Sequence, residues 1–330
     1  MLKVCIFGGG AIGGYIAGHL SRAGLCEVSV VARGATLDAI RSNGIRVVKP
    51  AETFSVRVDA RSDARELGVQ DYVFITLKAH QVKGALEQIQ SLMDHKTVVL
   101  PPTTGIPYYF FHEAPGQLKN RQMRLIDPVG RQWLALPPQQ VLGCVYWIGA
   151  HSIEPGVIAQ DGAKAGCPLG ELDGSRSTRA SRLSELLSAS GIASKVSDDI
   201  RSAIWIKFVN SLCWNPVAVL TQATLGEMRD AGDVVPIIEG MMREADALAV
   251  RLGIAIGPDP DKRIAMTLSA THHKMSMLQD LEAGRALELD ALSESLDAVR
   301  ELAGMPTPML DSVLAIARLR ASRAAAARQT

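Results

Sequence analysis

The chain has no excess of either charge: 35 basic side chains balance 34 acidic ones in 330 residues, for a net of +1. That leaves no electrostatic footprint for nucleic acid or an anionic membrane surface, and neither is expected as a partner. Cysteine is sparse. The five thiols (Cys5, Cys26, Cys144, Cys167 and Cys213) are odd in number and form no CxxC pair. This argues against a disulfide or zinc framework and suits reduced thiols in a cytoplasmic protein. His272 and His273 are adjacent, but no HExxH spacing occurs, so no metal site is expected. No apolar run approaches the length that crosses a bilayer, and no membrane association is expected. The first residues lack a basic segment and a cleavage site, so no signal peptide is expected. There is no internal repeat.

Hydrophobic residues make up 47% of the chain, enough for sizeable cores, and the length suggests two domains. The first half alternates short β-branched runs with helical patterns. Strands are expected at Leu2 to Phe7, Glu27 to Ala32, Asp71 to Leu77 and Thr97 to Leu100. Helices are expected at Ala11 to Ala23, Thr36 to Asn43 and Gln81 to Met93. Such β-α-β alternation implies a parallel sheet covered on both faces. Val141 to Ile148 and His151 to Gln160 read as two further strands joined near Pro155-Gly156. From Ser197 onward nearly everything reads as helix, in segments near 198–213, 216–230, 233–252, 276–302 and 307–325. The Ala/Arg-rich end, Arg318 to Thr330, is expected to fray. The predicted fold is α/β: an N-terminal Rossmann-type parallel sheet over 1–196, binding NADP, and a C-terminal all-helical substrate and catalytic domain over 197–330.

Gly8, Gly10 and Gly13 form G-x-G-x-x-G where the first strand meets the first helix. Glycines there permit the tight turn, the approach of a pyrophosphate and close helix–strand packing. The helix N-terminus, with Gly9, Ala11 and Ile12 in the same segment, offers its amides to phosphate. At the end of the second strand an NAD site usually carries an acidic residue. This chain reads Val31-Ala32-Arg33-Gly34. A guanidinium suits a 2′-phosphate, which favours NADPH. Lys78, at the end of the strand 71–77, is read either as a cofactor-phosphate ligand or as an exposed loop lysine.

The segment Ala203 to Val209 is apolar nearly all round except for Lys207. Burial lowers a lysine pKa and would make Lys207 a proton donor to a carbonyl. A lysine that snorkels to the surface is the competing reading. Lys207, Ser211 and Asn215 stand at i, i+4 and i+8 and share a face. Pro216 is expected to kink or end the helix. Ser276 to Gln279 reads as a capping box opening a long helix, with Glu288 deep in it.

Together these blocks resemble the ketopantoate reductase family (2-dehydropantoate 2-reductases). The blocks are Gly8 to Gly13, Ala32-Arg33-Gly34, Thr76-Leu77-Lys78-Ala79, Trp205-Ile206-Lys207 through Asn215-Pro216, Ser276 to Asp280, and Glu288-Leu289-Asp290. The resemblance implies reduction of a small 2-keto acid, 2-dehydropantoate, to pantoate with NADPH, in pantothenate biosynthesis. It implies Lys207 as proton donor and Glu288 as the acid that organises the site. Asn215 and Ser276 would contact substrate, and Arg33 and Lys78 the cofactor phosphates. Thr104, Ser211 and Leu225 stand where family members often carry asparagine. Thr104 and Ser211 keep hydrogen-bonding capacity, whereas Leu225 does not. Reduction of another 2-keto acid or an imine, or nucleotide sensing without turnover, are the alternatives. The apolar C-terminal helices suggest a homodimer.

Overall fold

The structure is a computed structural model that describes residues 1–102 and 104–327. The chain divides into two compact units, the first made of Met1–Thr103, Tyr108–Gln122 and Asp127–Ile200, the second of Thr104–Pro107, Met123–Ile126 and Arg201–Thr330.

In the first unit, β1 (Leu2–Phe7), β2 (Cys26–Val31), β3 (Ile45–Val48), β4 (Thr53–Val56), β5 (Asp59–Arg61), β6 (Tyr72–Ile75) and β7 (Val98–Leu100) precede β8 (Gly143–Cys144), β9 (Trp147–Glu154), β10 (Val157–Gly166) and β11 (Leu169–Gly170). Five of them form a wholly parallel sheet in the order β5-β2-β1-β6-β7. The strand order reverses at β1, where open α/β sheets bind ligands at their carboxyl ends. The apolar runs behind this sheet are buried on both faces: Val4, Cys5 and Ile6 in β1 and Val73, Phe74 and Ile75 in β6 are inaccessible.

The helices of this unit are α1 (Ala11–Ala23), α2 (Gly34–Asn43), α3 (Ala79–Val82), α4 (Leu86–Gln90), α5 (Arg131–Ala135) and α6 (Thr178–Ala189). The helix expected over Gln81 to Met93 is two short pieces, α3 and α4, separated at Lys83 to Ala85. A second sheet, β4-β3-β10-β9, was not foreseen. Its β9 and β10 pair antiparallel around the expected Pro155-Gly156 turn, but that turn divides the strand expected over His151 to Gln160, and the one expected over Val141 to Ile148 is split between β8 and β9. Helix α1 reaches this sheet through Tyr15, whose hydroxyl donates to Gln160 Oε1 at 2.9 Å.

The second unit is helical: α7 (Ile200–Thr221), α8 (Leu225–Asp230), α9 (Val234–Arg251), α10 (Pro260–Leu268), α11 (Ser276–Glu282), α12 (Leu289–Ala303) and α13 (Pro308–Ala326). Helix α7 departs from two expectations. It continues past Pro216 for five residues, because packing of its buried flanks (Trp214, Val217 and Ala218 among them) outweighs the one backbone bond proline removes. It is also long and apolar enough to meet the length and hydropathy of a membrane span, against the expectation of no such run. With 72% of that window buried inside the protein, it is a core helix. The helix expected over 276–302 is broken. Gly284 takes a left-handed φ of +71° after α11, and the chain restarts at Leu289. The expected fraying does not begin at Arg318: Ala and Arg are strong helix formers and α13 holds to Ala326. Residues 328–330 of that segment lie outside the described ones.

The turn between β1 and α1 shows why its glycines are needed. Gly8 sits at φ +126°, and its amide donates to the Val31 carbonyl at 3.0 Å. The Thr76 hydroxyl donates to the Gly8 carbonyl at 2.7 Å. A Cβ on Gly13 would lie 1.9 Å from that same carbonyl oxygen and 2.4 Å from Thr76 Oγ1. Gly13→Ala must push α1 off the sheet. It is expected to destabilise the protein by at least about 1–3 kcal/mol, the range for overpacking, read from the shift of the urea midpoint. An unchanged midpoint would show that the close approach is not needed.

Candidate active site

The first unit gathers the expected cofactor residues at the carboxyl ends of three adjacent parallel strands. Gly8 to Gly13 follow β1, Arg33 follows β2, and Lys78 follows β6. Gly10 takes the N-cap position of α1 with extended backbone, and no side chain among the described residues caps it. The leading amides of a 13-residue helix therefore remain for a ligand, on the side where the helix dipole is positive. A Cβ on Gly10 would meet nothing within 4 Å, whereas one on Gly9 would press on Ala32 and Ile40 at 3.1 Å. The backbone is thus open outward and packed inward, as a dinucleotide pyrophosphate requires. Ala11 and Ile12 are half-buried beside it. Arg33 is exposed at the N-cap of α2. Lys78 is half-buried at the N-cap of α3, and its amide donates to Gln81 Oε1 at 3.0 Å. Thr76, which had no expected role, is the residue that ties β6 to the glycine turn.

In the second unit, Lys207 lies on the half-buried face of α7, with Ala203, Ile206 and Asn210, while the flanking Ile204, Trp205, Phe208 and Val209 are fully buried. Burial pushes its pKa down to about 8, and the Glu288 carboxylate partly opposes that shift. Glu288 is not deep in a helix, as expected, but at the N-cap position of α12, a consequence of the break at Gly284. The Thr104 hydroxyl donates to Glu288 Oε2 at 3.3 Å. Lys207, Glu288 and Thr104 therefore form one electrostatic group.

Asn215 lies buried on α7. It is 2% exposed, and its amide is engaged by the protein. Its Nδ2 donates to the Ser211 carbonyl at 3.2 Å. Its Oδ1 accepts from the Met277 amide at 3.0 Å and from the Ser276 hydroxyl at 3.3 Å. Asn215 is thus a clamp that fixes the start of α11 on α7. The capping box expected at Ser276 does not form. Met275 holds the N-cap position, without a side-chain cap bond, and Ser276 turns to Asn215 instead. Ser211 is buried on the same helix. Leu225 is buried too, at the first position of α8 and 1% exposed.

The arrangement provides a phosphate-accepting turn in one unit. In the other it provides an ammonium group that can give up a proton near neutrality, held by a carboxylate.

Residues 4–174 match the family described as Ketopantoate reductase PanE/ApbA, and residues 199–321 match its C-terminal domain. A 2-dehydropantoate 2-reductase of Mesorhizobium japonicum is 40% identical over 96% of this chain and 97% of its own length. A solved structure from Ralstonia solanacearum MolK2 is 35% identical with a TM-score of 0.90, covering 98% of this chain and 99% of that one. A 2-dehydropantoate 2-reductase structure from Geobacter metallireducens GS-15, 23% identical, shares the fold with a TM-score of 0.84 over 96% of this chain and 99% of its own. The chain belongs to the ketopantoate reductase family of oxidoreductases.

Proposed function

We propose that the protein reduces 2-dehydropantoate to pantoate with NADPH, and that Lys207 is the proton donor. The observation that carries this is the half-buried Lys207 amine, its pKa lowered to about 8 beside Glu288. The family match and the 40% identical 2-dehydropantoate 2-reductase support the substrate.

The glycine turn, with Gly8 to Gly13 and Thr76, would hold the pyrophosphate, and Arg33 and Lys78 the outer phosphates. Bound there, NADPH supplies the hydride that the keto carbon receives. The chain's own work is on the oxygen. As the carbonyl is reduced, negative charge gathers on that atom, and Lys207 Nζ donates a proton to it. A lysine at its ordinary value of 10.5 would part with that proton less readily than one near 8. Without Glu288 the desolvated amine would lose its proton at still lower pH. Glu288 thus keeps it charged near neutrality, and Thr104 holds the carboxylate. Asn215 and Ser276 keep α7 and α11 in register around the amine. All five cysteines are buried free thiols, which supports a cytoplasmic setting.

The defining assay follows NADPH absorbance with 2-dehydropantoate beside other branched 2-keto acids; turnover of another acid but not of 2-dehydropantoate would redirect the substrate assignment. Lys207→Ala is expected to lower kcat by about 10²–10⁴-fold, the usual range for a general acid, with NADPH affinity little changed. Normal turnover in that variant would remove Lys207 from the chemistry. Because the donor must be protonated, the reduction rate should be level below pH 8 and fall as pH rises through about 8. Glu288→Gln removes the group that raises the lysine pKa, so the descending limb should move to lower pH; a limb that stays in place would contradict the pairing. Arg33→Ala should weaken NADPH by about 10- to 100-fold, the worth of a hydrogen bond to a charged group, and leave NADH nearly unaffected in parallel binding titrations.

A further inference from the structure

We infer that Ser295 is a positioning residue for the proton donor, strapping the segment that carries Thr104 onto α12 and so holding the Glu288 carboxylate beside Lys207; this deepens the reductase assignment above and rests on it. Thr104 to Pro107 belong to the second unit, although the chain on either side of them belongs to the first. Two hydrogen bonds and one close approach tie this short excursion to α12. At its start the Thr104 hydroxyl donates to Glu288 Oε2 at 3.3 Å. Two residues on, the Ile106 amide donates to Ser295 Oγ at 2.9 Å. Between them Gly105 takes a left-handed φ of +80°, and a Cβ there would collide with Ser295 Oγ and lie 3.1 Å from the Ala291 carbonyl oxygen. Glu288 and Ser295 are two helical turns apart, so they stand on one side of α12.

The Ser295 hydroxyl is set for this task. Its proton goes to the Ala291 carbonyl at 2.7 Å, which leaves an oxygen lone pair for the Ile106 amide. Water cannot take its place, because Ile106 is 2% exposed and Ser295 3%. A buried amide without an acceptor is costly enough to move the backbone that carries it. Loss of the Ser295 oxygen would therefore release the segment, and with it the Thr104 hydroxyl, from α12. The carboxylate, no longer pinned at Oε2, would retreat from the amine. Of the described charged groups, Glu288 is the one that bears on the protonation of Lys207, so the retreat can be read there. For charges about 4 Å apart at an effective dielectric of about 20, a retreat of about 1–2 Å is worth about 0.6–1 pH unit.

The test is the pH profile of 2-dehydropantoate reduction in Ser295→Ala. Its descending limb should move to lower pH by about 0.6–1 unit. A merely structural role would lower the rate alike at every pH and leave the limb in place. Gly105→Ala presses on the same contact from the loop side and gives the same reading should the serine variant fail to fold. Added to Glu288→Gln, Ser295→Ala should move the limb no further, because the serine acts through the carboxylate. Titration of Lys207 Nζ by NMR should show the same shifts whichever acid is turned over. A limb and a titration that stay in place in the folded variant, or that move further in the double variant, would overturn the role of Ser295. If Glu288→Gln alone still moves them, the Lys207–Glu288 pairing stands; if neither variant does, the pairing falls too.

Discussion

The proposed chemistry depends on a balance of two electrostatic effects at one nitrogen. Burial beside apolar neighbours disfavours the charged form of Lys207, and the Glu288 carboxylate restores part of what burial removes. Either effect alone gives a poor proton donor. An exposed lysine holds its proton too tightly, and a buried one with no counter-charge does not carry it. The break at Gly284 matters here, because it ends α11 and sets Glu288 at the head of α12, where Thr104 can bond it. A continuous helix would have placed that carboxylate at an interior helical position.

The cofactor side rests on steric rather than electrostatic economy. At the turn after β1, Gly8, Gly13 and Thr76 are interlocked so closely that a single added carbon on Gly13 meets two oxygens. Rigidity there sets the leading amides of α1 before any phosphate arrives, so little ordering entropy is lost on binding. The Asn215 clamp does similar work for α7 and α11. In both units, polar side chains that look like ligand contacts in the sequence also brace the backbone.

How much of this was legible depended on sequence distance. The glycine turn, Arg33 and the parallel sheet were readable because each is specified within one β-α-β stretch. Lys207 stood out as the lone cation in an apolar run, a pattern that left burial and snorkelling both open. The bracing role of Asn215 was not legible, because its partners, Ser276 and Met277, lie some sixty residues away and no local pattern names them. The second sheet escaped for the same reason, since β3 pairs with β10 across more than a hundred residues. Glu288 was placed inside a helix because an isolated glycine in a helical pattern does not announce that it will adopt a left-handed φ.

The protonation of the Lys207 amine can be measured without turnover. Titration of the lysine Nζ signals by NMR in ¹⁵N-lysine-labelled protein, with Lys207→Arg to assign the resonance, reads that protonation directly. The Lys207 midpoint is expected near 8, against 10.5 for an ordinary lysine. A midpoint at the ordinary value would show that the amine is not desolvated and would contradict the proposed mechanism.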